Sequence, residues 1–208
     1  MSVLAIIPAR GGSKRLPGKN MRDLGGMPLV GWSIAQAIAS RPYIDAIAVS
    51  SDDEDILSYS RMFNGIDVIR RPAELATDKA DSYCVIRHAY HEMGGPYDFI
   101  CLLQPTSPLR LPADVVRCIG AAHALTTLPA VVSYEDGKSV PNGAVYVGRT
   151  DWLLDGGNFD APSHVAYRMP AERSVDIDTK KDFEKAENLL WQFRRSQDPV
   201  PIRSLSAR

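Results

Sequence analysis

The sequence predicts an α/β fold built around a mainly parallel sheet. Three observations carry this. Apolar runs of strand length alternate with segments of helical periodicity along the chain. The central run, Phe99-Ile100-Cys101-Leu102-Leu103, is apolar throughout, as a strand buried on both faces requires. Polar and charged residues of catalytic type collect at or just past the ends of the apolar runs, where ligands bind in such sheets. With 208 residues, 45% of them hydrophobic, the chain is long enough for one well-formed core.

Taken in order, Val3-Leu4-Ala5-Ile6-Ile7 reads as a first buried strand. Met27–Ser40 reads as a helix, with apolar residues at helical spacing from Pro28 to Ile38. Ala46–Ser50 is a second strand, and Ser51-Asp52-Asp53 offers an N-cap and an acidic first turn for a helix through Met62. Asp67–Ile69 is a short third strand that runs into Arg70-Arg71-Pro72, and Asp81 or Ser82 caps a helix through about Met93. The central strand ends at Gln104-Pro105-Thr106-Ser107-Pro108, and Pro112 suits the first turn of a helix through about Leu125. Ala130–Ser133 and Ala144–Val147 are further strands. Ser174–Asp178 is a last short strand, after which Thr179 caps a charged helix, Lys180–Phe193. Residues 1–193 thus form a single domain. The segment 194–208, with Pro199, Pro201, serines and arginines, reads as a flexible tail.

The formal net charge is −1, so no global field points to nucleic acid or a membrane surface. Residues 1–8 lack the basic and apolar regions of a signal peptide, and no apolar run approaches membrane length, so a cytoplasmic location is expected. Cys84, Cys101 and Cys118 are widely spaced with no C-x-x-C, which argues against a disulfide framework or zinc ribbon and for buried thiols. His88 and His91 lie three apart on one helix but have no third ligand in view. Trp32, Trp152 and Trp191 are scattered and read as packing residues.

The basic charge is local. Pro8–Asn20, PARGGSKRLPGKN, follows the first strand and interleaves Gly11, Gly12 and Gly18 with Arg10, Lys14, Arg15 and Lys19, uninterrupted by any acid. Glycines let backbone N–H groups approach a ligand, successive N–H groups form an anion nest, and the cations add full charges. The loop therefore reads as a cradle for a highly negative group, and a nucleoside triphosphate fits that description best. It is not a P-loop: five residues separate Gly12 from Gly18, and Lys19 precedes Asn20 rather than Ser or Thr. Nor is it G-x-G-x-x-G, so a kinase or a dehydrogenase is disfavoured. Arg15 and Arg22 read as solvent-exposed. At the other end of the chain, Asp176 and Asp178 would point to one face of a strand, an arrangement that suits Mg²⁺.

This loop resembles the signature of the cytidylyltransferases that activate acidic sugars, the acylneuraminate (CMP-sialic acid) synthetases and related CMP-ulosonate synthetases. The resemblance recurs, in the family's order, at Arg71-Pro72-Ala73-Glu74-Leu75-Ala76, Leu103-Gln104-Pro105-Thr106-Ser107-Pro108-Leu109-Arg110, Pro141-Asn142-Gly143-Ala144 and Asp176-Ile177-Asp178-Thr179. The shorter-sugar branch carries an additional acid after the central strand, where this chain reads Leu103-Gln104-Pro105-Thr106, so the sialate-like branch fits better. The resemblance implies a Rossmann-like three-layer nucleotidyltransferase fold, CTP as substrate and Mg²⁺ as cofactor. It assigns Arg10 and Lys19 to charge stabilisation during transfer. Ala9, Gly11, Gly12, Ser13, Lys14 and Asn20 then line the nucleotide site with Arg71, which holds the cytidine, and Ser82. Gln104, Thr106 and Asn142 face the acceptor, and Asp176 and Asp178 bind the metal. A non-catalytic nucleotide-binding homologue would have lost the metal pair or Lys19, and all three are present. Nucleotidyltransferases that use GTP or a sugar 1-phosphate usually start L-A-G-G or L-A-A-G, unlike Ile7-Pro8-Ala9-Arg10.

One departure matters. The family carries a long insertion before the Pro-Asn-Gly block, which builds much of its dimer interface and a wall of the neighbouring subunit's sugar pocket. Here only Glu135–Val140 separates Tyr134 from Pro141. A family-type dimer is therefore not expected. A small acidic acceptor such as a phosphonate (phosphonoformate, for one) is favoured over a nine-carbon sugar acid. A phosphonate oxygen is already ionised near neutral pH and needs no general base, and the matched blocks contain no histidine.

Overall fold

The computed structural model describes residues 1–77 and 81–197. Seven strands form one sheet in the order β3-β2-β1-β4-β6-β5-β7. The strands are β1 Val3–Pro8, β2 Ala46–Ser51, β3 Asp67–Arg70, β4 Phe99–Leu102, β5 Ala130–Glu135, β6 Pro141–Arg149 and β7 His164–Met169. The β1–β2, β2–β3, β1–β4 and β5–β7 pairs are parallel, and β6 alone runs against its neighbours β4 and β5. The sheet is thus mainly parallel, as the alternating pattern predicts.

Strand alternation divides the core into two layers. Val3, Ala5 and Ile7 face one side with Cys101 and Leu103. There they meet Val30 and Ile34 of α1 (Leu29–Ala39), Ile56 of α2 (Glu54–Ser60) and Val115, Cys118 and Ile119 of α4 (Pro112–Ala124). Leu4, Ile6, Ile100 and Leu102 face the other side, with Ile86 and Ala89 of α3 (Ser82–Met93) and Leu153 of α5 (Thr150–Leu154). Such a three-layer arrangement removes both faces of the sheet from water.

Several local signals act as the sequence implies. Asp53 caps α2 by accepting from Asp55 N and Ile56 N, and Asp81 caps α3 by accepting from Tyr83 N. Thr179 and Asp182 bond reciprocally at the start of α6 (Lys180–Gln197). Other expectations need correction. The helix expected to stop at Phe193 runs on to Gln197, so 194–197 are helical; the remainder of the expected tail, 198–208, lies outside the described residues. Ser174–Asp178 joins no strand, and the sheet instead holds β7, an edge strand absent from the expected elements. Cys101 and Cys118 are buried but Cys84 is exposed. Trp191 is half-exposed, with Arg194 over its ring at 5.7 Å.

A third apolar cluster positions the site. Leu16, Leu24 and Leu29 of the first loop and helix pack on Val175 and Ile177 and on Phe183, Ala186 and Leu190 of α6. This ties the end of the domain to the loop after β1. Among the described residues no helix is long and apolar enough to cross a membrane.

Candidate active site

A cavity of about 670 Å³ opens at the carboxyl ends of β1, β3 and β4, beside the point where strand order reverses. It is lined by Arg10, Ser13, Lys14, Arg15, Lys19 and Asn20 from the first loop, Arg71 after β3, and Ser82 at the start of α3. Gln104 and Thr106 after β4 and the pair Asp176 and Asp178 complete the polar wall. Residues from the two ends of the domain thus meet in one place.

The pairing of Lys19 with Asp178 follows from the third apolar cluster. With Val175 and Ile177 buried, the period of an extended chain turns Asp176 and Asp178 to the cavity. Ile177 N–H donates to Thr106 O at 2.7 Å, which fixes the segment without a sheet partner. Lys19 Nζ donates to Ile177 O at 2.8 Å and Asp178 Oδ1 at 3.0 Å, and Arg15 Nη2 lies 2.9 Å from Asp178 Oδ2. Arg15 is exposed, as expected, and also reaches the site through Asp178; no local signal marks that contact, because its partner lies at the other end of the chain. The protein packed around the Asp176 carboxyl raises its pKa, the Thr106 side chain opposes that rise, and the neighbouring Asp178 adds to it.

Arg71 is buried at the end of β3. Its Nη2 donates to Ser50 O at 2.6 Å and its Nε to Ser50 Oγ at 3.2 Å. Burial pulls its pKa down to about 10, against the attraction of Asp52. Asp52 is a further residue that sequence reasoning passes over as part of a helix start. Its Oδ1 accepts from Gly11 N at 3.1 Å, so an acid does reach the basic loop through space.

Four residues expected at the nucleotide or acceptor stand apart from the cavity wall. Ala9 turns its methyl into the core and donates its N–H to Ser50 O at 3.0 Å. Gly11 packs on α2's cap: a Cβ there would lie 2.4 Å from Asp53 Oδ2, which accounts for the glycine by close approach. Gly12 is exposed. Asn142 is buried behind the wall, where its Oδ1 accepts from Ser133 Oγ at 2.6 Å and its Nδ2 donates to Ser174 Oγ at 2.9 Å. Its polar groups are satisfied by protein, so it shapes the wall without touching the cavity. Gly143 beside it has φ +74°, and a Cβ there would stand 2.8 Å from Gln104 Oε1.

For a metal, two carboxylates on one wall suit a hard cation that keeps water and substrate phosphates among its ligands. Among the described residues no group of three His, Cys, Asp or Glu could hold one alone.

The family model described as "Cytidylyltransferase" matches residues 4–125. The N-acylneuraminate cytidylyltransferase of Escherichia coli O18:K1:H7 is 32% identical over an alignment of 227 positions that covers 94% of this chain and 54% of that protein. The CMP-N,N'-diacetyllegionaminic acid synthase of Legionella pneumophila is 29% identical, with 91% of this chain and 97% of that protein covered. The chain spans about half the length of most of the curated relatives it matches. Among solved structures, the CMP:2-keto-3-deoxy-manno-octonic acid synthetase complexed with CTP superposes with a TM-score of 0.75, at 18% identity, over 93% of this chain and 100% of that one. At that identity the likeness establishes the shared nucleotidyltransferase fold.

Proposed function

The chain belongs to the cytidylyltransferase family, and from that premise we propose that it transfers CMP from CTP to an acidic acceptor and releases pyrophosphate. The observation that carries this reading is the convergence of the loop cations and the carboxylate pair on one cavity. An acceptor oxygen bonds to the α-phosphorus while the bond from that phosphorus to the bridging oxygen of the β-phosphate breaks. The charge that develops is on phosphate oxygens, so electrostatic stabilisation contributes more than covalent chemistry. Arg10, Lys14 and Lys19 neutralise the triphosphate and the departing pyrophosphate, and Arg15 stands ready beside them. Arg71 and Ser82 hold the cytidine side, and Gln104 and Thr106 face the acceptor. Asp176 and Asp178 would hold Mg²⁺, which supplies charge neutralisation at the phosphates when bound.

The acceptor is the finer part of the proposal. Only residues 136–140 connect β5 to β6, and the alignment with the E. coli relative is longer than this whole chain, so that relative carries additional residues. A short connection removes a wall on the acceptor side, which supports a compact acid such as phosphonoformate. An ionised acceptor oxygen also needs no base, and among the described residues no histidine lines the cavity. The second reading, a nine-carbon sugar acid, is favoured by the names of the relatives. Pyrophosphate release with each of four nucleoside triphosphates, against a panel of acidic sugars and phosphonates, tests both. Release with CTP alone is expected; equal release with GTP or UTP overturns the nucleotide assignment.

A further inference from the structure

The 104–110 segment contains a buried cation that the proposed transfer does not use. Arg110 is 1% exposed, and among the described residues no carboxylate lies within ion-pairing reach of it. Its guanidinium instead faces neutral oxygens. Nη1 donates to Gln104 O at 2.8 Å, Ser107 O at 3.2 Å and Ala144 O at 3.1 Å, and Nη2 donates to Ser33 Oγ. Removing an unpaired guanidinium from water is expensive, and an apolar side chain of the same volume would fill the space at lower cost. Burial pulls its pKa down to about 9, which still leaves it charged near neutral pH.

Arginine supplies a planar fork whose two nitrogens reach the turn carbonyls and Ser33 of α1 at once, a span that a lysine's single ammonium centre cannot cover. Two of those carbonyls, of Gln104 and Ser107, belong to the turn that carries Gln104 and Thr106. Gln36 of α1 holds the same segment from outside, its Nε2 donating to Pro108 O at 2.6 Å and Arg110 O at 2.8 Å. Inward, Thr106 O accepts from Ile177 N at 2.7 Å, which ties the turn to the segment that carries Asp176. The clearance is small, since a Cβ on Gly143 would lie 2.8 Å from Gln104 Oε1 and 3.4 Å from Asp176 Cγ.

We infer that Arg110 is the positioning residue of the acceptor side: anchored to Ser33 of α1, it fixes the 104–107 turn, and through that turn it sets Gln104 and Thr106 against Asp176. The kinetic part of this inference rests on the proposed CMP transfer; the structural part does not.

Two variants test it, Arg110→Lys and the milder Ser33→Ala, which removes one of the fork's acceptors. Amide hydrogen exchange is read at Ile177 and Ser107 against amides of β1. KM is measured for CTP and for phosphonoformate or N-acetylneuraminate, whichever the native protein turns over. Arg110→Lys is expected to speed exchange at Ile177 by at least tenfold with β1 unchanged. It should also raise the acceptor KM at least fivefold while the CTP KM stays within twofold. Unchanged exchange at Ile177, an equal increase throughout the sheet, or equal shifts in both KM values overturns the inference. Should Arg110→Lys fail to fold, Ser33→Ala is judged by the same pattern at threefold thresholds. If the native protein releases no pyrophosphate from CTP, the functional reading falls while the exchange data still decide the role of Arg110.

Discussion

Replacing Lys19 by methionine separates the charge of this side chain from its packing. Lys19 is 11% exposed and its Nζ makes two bonds, to Ile177 O at 2.8 Å and Asp178 Oδ1 at 3.0 Å. Asp178 is 35% exposed and keeps Arg15 at 2.9 Å, so it is not left as a buried, unpaired charge. Ile177 O does lose its donor, so the structural loss is on the scale of one charged hydrogen bond, about 1.5–3 kcal/mol, or roughly 3–12 °C in Tm for a chain of this size. The catalytic loss is larger. Removing one preorganised donor from developing charge typically costs about 10²–10³ in kcat. Coupled pyrophosphate release over a range of CTP concentrations, with calorimetry on the same sample, separates the two effects. A kcat/KM for CTP within threefold of the native value refutes the assignment. A fall in Tm beyond about 15 °C, above the worth of one charged hydrogen bond, instead makes Lys19 a structural strut.

Asp178→Asn should abolish metal-dependent turnover and weaken Mn²⁺ binding in the presence of CTP, read by electron paramagnetic resonance; full activity of the native protein in EDTA counts against the metal pair. Arg71→Leu should raise the CTP KM by about tenfold or more, on the scale of about 1.5–3 kcal/mol for a charged hydrogen bond, and Arg71→Lys should recover part of it; equal KM values in all three proteins refute the role. Burial pushes the carboxyl of Asp182 up, but bonds from the Thr179 hydroxyl and from the N–H groups of Thr179 and Asp178 outweigh it and leave its pKa below the usual value of 3.8. Its stabilising contribution is thus complete above the unfolded pKa and is lost as pH falls through the folded one, so Asp182→Ala should lower Tm at pH 7 and flatten its decline in acid. A stable interface buries about 1,200–2,000 Å² in total, which residues 136–140 cannot supply, so light scattering should give a monomer or a differently built dimer. With CTP, phosphonoformate should show a higher kcat/KM than N-acetylneuraminate, and the reverse preference removes the compact-acceptor reading.

Much of the fold is legible because the elements that position the site are local. The apolar run at Phe99, the cap at Asp53 and the glycine-cation loop each act over a few residues. β7 is missed because His164 and Arg168 break up the apolar run, although Val165, Tyr167 and Met169 share one face and pack on the core. Its signal is weaker: β-branched and aromatic residues between Pro162 and Pro170. The segment Ser174–Asp178 is read as a strand for a sound reason, since its side chains do alternate, but its backbone pairs with a loop carbonyl and not with a ladder. Local chemistry also misjudges distance. Pro-Asn-Gly marks a tight backbone, yet it cannot say that Asn142 spends its amide on Ser133 and Ser174. Arg15 and Asp52 acquire their roles only when the third cluster and the β2 end bring distant partners to the loop.

The same placement explains how a cavity so rich in charge can be stable before any ligand arrives. Lys19 and Arg15 neutralise Asp178, Asp52 satisfies Gly11 N–H, and Arg71 spends its donors on Ser50. These recognition groups thus rest on internal stand-ins, which removes the cost of burying unpaired charge. On the proposed reading, binding is an exchange of partners. The loop cations pass from a carboxylate to phosphate oxygens, and the carboxylate pair becomes available to Mg²⁺ in the same step. The two exchanges are linked, because a cation that leaves Asp178 without a replacement leaves that carboxylate exposed to its neighbour Asp176, whose own ionisation it already disfavours. CTP and Mg²⁺ should therefore bind with positive coupling, each tightening the other by the same factor. Calorimetric titration of CTP with and without Mg²⁺ measures that factor. Asp178→Asn should reduce it toward one, and a coupling unchanged in that variant refutes the exchange.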